Sequence, residues 1–83
     1  MLTNIIEKRI VEGFEFITFE VEDDKVSKVM INYNIAWNKV IDITIYFKTN
    51  RIATYSGNLS NHKMPPKYRK YIKEAMKKIL EDN

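Results

Sequence analysis

The 83 residues contain no cysteine, one histidine, two glycines and two prolines. Without thiols there is no disulfide framework, thiolate nucleophile or cysteine-ligated zinc. Two glycines, Gly13 and Gly57, are too few for a loop that cradles phosphate with unobstructed backbone. The one histidine, His62, lies in Ser60-Asn61-His62-Lys63 with no carboxylate nearby in sequence to orient it, so it reads as a loop residue and not as a general base. Ser56 and Ser60 flank Gly57 without the G-x-S-x-G pattern or a triad partner. Glu22, Asp23 and Asp24 are the densest group of carboxylates, but they lack the spaced ligands and the glycine of a calcium loop and read as an acidic turn. No catalytic residue, metal or cofactor is therefore expected, and the chain reads as non-enzymatic.

Long apolar runs are missing too. The opening MLTNIIEKRIVEGF is interrupted by Glu7, Lys8, Arg9 and Glu12, so it has neither the apolar core of a signal peptide nor the length of a membrane span, and a cytoplasmic location is expected. The length suits one domain over residues 1–83, and an apolar share of 45% beside a charged share of 30% is ordinary for a folded globular chain. Eleven lysines, twelve isoleucines and eight asparagines suggest AT-rich coding, which fits a phage, a mobile element or a low-GC bacterium.

Charge is unevenly placed behind the net value of +3. Residues 1–24 hold seven acids against two bases, whereas residues 63–80 hold seven bases against Glu74 alone. Such a separation can orient a partner during approach, or can be satisfied internally by the two segments lying together.

Periodicity supplies the scaffold. Leu2, Ile5, Ile6 and Ile10 recur at helical spacing, with Thr3 as a cap and Gly13 as a stop, which predicts a short amphipathic helix. From Phe14 the period becomes two. Ile17, Phe19 and Val21 share one face; Val29, Ile31, Tyr33 and Ile35 repeat the pattern; so do Ile41, Ile43, Ile45 and Phe47; and a shorter strand covers residues 51–56. Matching apolar faces places Ile17 opposite Ile31, Phe19 opposite Val29, Glu20 opposite Lys28, Ile31 opposite Ile43, Val29 opposite Ile45 and Asn32 opposite Asp42. A two-residue turn at Thr49-Asn50, with Asn50 at positive φ, places Phe47 opposite Ile52 and Tyr46 opposite Ala53. Pro65 and Pro66 suit a helix start, and Tyr68, Ile72, Ala75, Met76, Ile79 and Leu80 form the apolar stripe that follows, with Tyr71 on its flank. The expected fold is α+β: a two-layer sandwich of helix, four-stranded antiparallel meander and helix, αββββα, with both helices on the apolar face.

Function then falls to surfaces. Met30, Tyr46 and Tyr55 are expected on the outer sheet face among Thr and Asn side chains, a face more aromatic than solvation alone requires. Trp37, at the centre of a hairpin loop, is an anchor for a partner unless it folds back onto a helix. Glu20, Glu22, Asp23 and Asp24 form an acidic patch able to imitate phosphate toward a basic groove. The leading expectation is a small non-catalytic binding protein that acts stoichiometrically on a protein or nucleoprotein partner, as inhibitor or accessory factor. The alternative is nucleic-acid binding by Lys67, Lys70, Lys73 and Lys77, which share the polar side of the last helix within reach of a phosphate backbone. An open strand edge also leaves room for a homodimer. No membrane partner is expected.

Overall fold

The computed structural model describes residues 1–56 and 64–81. Among the described residues, five strands, β1 (Leu2–Val11), β2 (Phe14–Val21), β3 (Val26–Asn34), β4 (Lys39–Phe47) and β5 (Ile52–Ser56), form one antiparallel sheet in sequence order, and a single helix, α1 (Pro66–Glu81), follows. There is no N-terminal helix, so the αββββα expectation fails at its first element. Residues 2–11 are instead an edge strand paired with β2.

The cause lies in β1 itself. Its register shifts between Leu2 and Ile5, and again between Ile5 and Glu7, so two inward residues stand three apart and counterfeit a helical interval. Ile5, Ile6, Ile10 and Val11 are β-branched and suit a pleated surface better than a helix. Gly13 is no helix stop. It has φ +85° beside Glu12 at φ +48°, the two central positions of a tight hairpin turn between Val11 and Phe14. Glutamate is a poor occupant of that left-handed position, whereas asparagine adopts it readily. Glu12→Asn is therefore expected to raise stability by about 0.5–1 kcal/mol, measured by urea unfolding.

The central pairings agree with the sequence. Ile17–Ile31–Ile43 and Phe19–Val29–Ile45 run as rows across the inner face, and all six side chains are fully buried. Two details differ. A register shift after Asn32 sets Tyr33 opposite Val40, so Val40 enters the core in place of Ile41. The last hairpin is longer by one residue than expected. Phe47 donates its N–H to Arg51 O at 2.9 Å, Asn50 lies at φ +67°, Tyr46 pairs with Ile52 and Ile45 with Ala53. Because side chains alternate, that single step moves Tyr55 from the outer face to the inner one, opposite Ile43.

On α1, Tyr71, Ala75 and Ile79 recur at intervals of four and are buried against the sheet, with Met64 just before the helix. Tyr71 is thus central to the stripe and not on its flank, whereas Leu80, one step round from Ile79, is exposed. Tyr68 packs between Tyr55 and Tyr71, with ring centroids 5.5 and 6.1 Å away. Among the described residues no helix is long and apolar enough to cross a membrane.

Candidate functional site

With α1 on the inner face, no described element covers the outer face of the sheet. Its middle row runs Glu7–Thr18–Met30–Thr44–Thr54, and the flanking rows are Arg9–Phe16–Asn32–Asp42 and Glu20–Lys28–Tyr46–Ile52. Thr18 and Thr44 are buried between their neighbours, and Thr44 and Thr54 share a hydroxyl hydrogen bond of 3.2 Å. Two outer aromatics carry a cation: the Arg9 guanidinium lies 5.6 Å from the Phe16 ring centre, and the Lys28 ammonium 4.8 Å from that of Tyr46. Asn32 Nδ2 donates to Asp42 Oδ2 at 3.2 Å. Met30 and Tyr46 are thus half-buried on the face where the sequence places them. Tyr55 is not, for the register reason given above.

Trp37 stands at one end of this sheet, in the loop 35–38 between β3 and β4. It is 78% exposed and does not fold back on α1. The loop is shaped by its polar ends. Asn34 Oδ1 accepts from Trp37 N–H at 3.0 Å, and Asn38 takes φ +54°. Ile35 donates its N–H to Gly13 O at 3.1 Å, which ties this loop to the β1–β2 turn. Exposed Ile35 and Val11 therefore stand with Trp37 at the same end, beside half-buried Phe14. Sequence reasoning missed Ile35 by extending β3 through it and missed Val11 by reading it as helix. The one signal that separates Ile35 from the strand is Asn34, whose side chain opens the turn.

Tyr46 and the acidic residues lie at the opposite end, so the expected binding set is divided. Glu20 is on the outer face, where its Oε1 accepts from Thr3 Oγ1 at 2.9 Å and Asn4 Nδ2 at 3.2 Å. Glu22 and Asp24 are exposed in the β2–β3 loop. Asp23 is turned inward with a side chain only 8% exposed. Its Oδ1 accepts from Lys25 and Val26 N–H at 2.8 and 3.2 Å, and its Oδ2 accepts from Tyr71 Oη at 2.8 Å and pairs with the Lys67 ammonium. Lys67, with the Lys25 N–H and the Tyr71 hydroxyl, holds the Asp23 carboxyl well below the usual carboxylate range, against the opposing effect of burial. Burial, then the adjacent carboxylate, pushes the Tyr71 phenol above its ordinary value; burial also raises Tyr68. Part of the charge separation seen in sequence is thus satisfied inside the fold, as a clamp between hairpin and helix.

That clamp also occupies one of the four candidate lysines. Lys70, Lys73 and Lys77 remain exposed along α1, away from the outer face. Among the described residues no group of His, Cys, Asp and Glu is placed to hold a metal ion. Ser60 and His62 lie outside the described residues. No protein-family model, curated protein or solved structure matches the chain.

Proposed function

We propose that the chain is a stoichiometric binding protein, an inhibitor or accessory factor, that inserts the Trp37 end of its sheet into an apolar pocket on a partner protein. The observation that carries this reading is the exposure of Trp37, the largest side chain in the sequence, on a tied-down hairpin loop beside Ile35 and Val11. A tryptophan left in water with apolar neighbours gains more from a partner's pocket than any other side chain on the surface, and rigid placement lowers the entropy lost on binding. Met30 and Phe16 extend the contact along the outer face, while Glu22 and Asp24 steer approach from the far end.

The sequence has one tryptophan, so its fluorescence reports on this site alone. Emission is expected to shift to shorter wavelength when a partner captured from the native host is added, and Trp37→Ala is expected to weaken that complex about 30-fold or more. A complex that survives Trp37→Ala unchanged overturns the proposal. One that disappears on nuclease treatment moves the function to Lys70, Lys73 and Lys77.

A further inference from the structure

At the end of the sheet opposite Trp37, the first turns of α1, the β2–β3 loop and Met1 border a cleft of about 490 Å³, within the size range of small-molecule sites. Two of its walls are apolar. Tyr71 is buried at one side, and Met1, a large apolar side chain left 66% exposed, stands at another. The methylene stems of Lys67, Lys70 and Lys73 extend these walls, with their ammonium groups at the rim.

The charges of this rim select a ligand class. Lys67 is committed to Asp23, whose oxygens also accept from Tyr71 Oη and two backbone N–H groups, so that pair is neutral and saturated. Lys70 and Lys73 make no ion pair among the described residues, and Glu74 is the other acid of the lining. The described lining therefore carries a net charge of +1. Lysines near a helix start also oppose the helix dipole, and α1 has no acidic residue in its first turn to offset them. An anion at the rim supplies that missing charge. A phosphate group brings more negative charge than the rim balances and no apolar body to cover Met1 and Tyr71, whereas an uncharged hydrocarbon leaves the lysines unanswered. We propose that this cleft binds a monoanionic amphiphile, a medium-chain carboxylate, with its head between Lys70 and Lys73 and its chain against Tyr71, Met1 and the lysine stems.

The probe is decanoate, titrated into the full chain below its micelle-forming concentration and followed by calorimetry and by amide shifts in two-dimensional NMR. Shifts are expected at residues 23–25 and 67–74 and not at residues 35–38. Decanoate is expected to bind about tenfold or more tighter than hexanoate, because each methylene taken from water adds to affinity, and to surpass both decanol and inorganic phosphate by a similar factor. Lys70→Gln combined with Lys73→Gln is expected to weaken decanoate about tenfold, whereas Lys77→Gln, on the same helix outside the cleft, leaves it unchanged. All three side chains are exposed, so the variants keep the fold, which circular dichroism checks. No binding of decanoate up to about 1 mM overturns the proposal. So does phosphate that binds as tightly as decanoate, a Lys77→Gln loss equal to that of the double variant, or a chain-length series with constant affinity. Trp37→Ala is expected to leave decanoate binding intact, and its loss there likewise overturns the site. None of these measurements needs the protein partner, so this site and the reading of Trp37 fail separately.

Discussion

Asp23→Ala is expected to lower the free energy of unfolding by about 3 kcal/mol, to be read as a shift in urea midpoint at unchanged slope. The carboxylate accepts from two backbone N–H groups of its own turn and from the Tyr71 hydroxyl, and it pairs with Lys67. The Lys67 pair contributes little of the loss, because half of that side chain is in water. The larger share comes from Tyr71, a residue only 3% exposed, whose hydroxyl loses its acceptor without gaining solvent. Tyr71→Phe, which removes the donor and leaves the carboxylate its other partners, costs only about 1 kcal/mol. Equal losses for the two variants contradict this account. The sign of the pH dependence follows. The folded carboxyl titrates below its unfolded value of about 3.9, so the contribution is complete above that pH and is lost as pH falls further, through the depressed folded value. Asp23→Asn removes this component and flattens the acid limb of the stability profile.

Phe19→Ala is more damaging. Phe19 is fully buried at the middle of β2, between Ile5 on β1 and Val29 on β3, with Ile45 beyond. Truncation removes its transfer free energy and leaves a cavity that a sheet cannot collapse to fill, a loss of about 4 kcal/mol. A domain of this size holds only about 4–12 kcal/mol in total, so the variant melts roughly 15–30 °C lower. Phe16, three residues earlier on the outer face of the same strand and half-buried, is the control. Its replacement by alanine costs about 1 kcal/mol. The prediction fails if Phe16→Ala and Phe19→Ala melt together.

The central strands were legible because their alternation is uninterrupted. Ile17, Phe19, Val29, Ile31, Ile43 and Ile45 could satisfy one register only, and the structure adopts it. Each failure traces to an irregularity that alternation does not encode. Two bulges gave β1 the spacing of a helix; the shift after Asn32 exchanged Ile41 for Val40; one extra residue in the last turn carried Tyr55 indoors. At the surface, Met30 and Tyr46 were placed by their parity, whereas the loop position of Trp37 left open whether it folds back onto a helix. The role of Asp23 was not, because its partner Tyr71 lies 48 residues away and nothing local announces the contact.

Every strand lies beside its predecessor, joined by turns of two to four residues, so forming the ladder closes only small rings of chain. Low contact order of this kind lets zippering begin at any turn and spread in both directions, unusually fast for a chain made mainly of strands. Only the docking of the C-terminal helix closes a large ring, which makes it the step with the greatest entropy cost on the way to the native state.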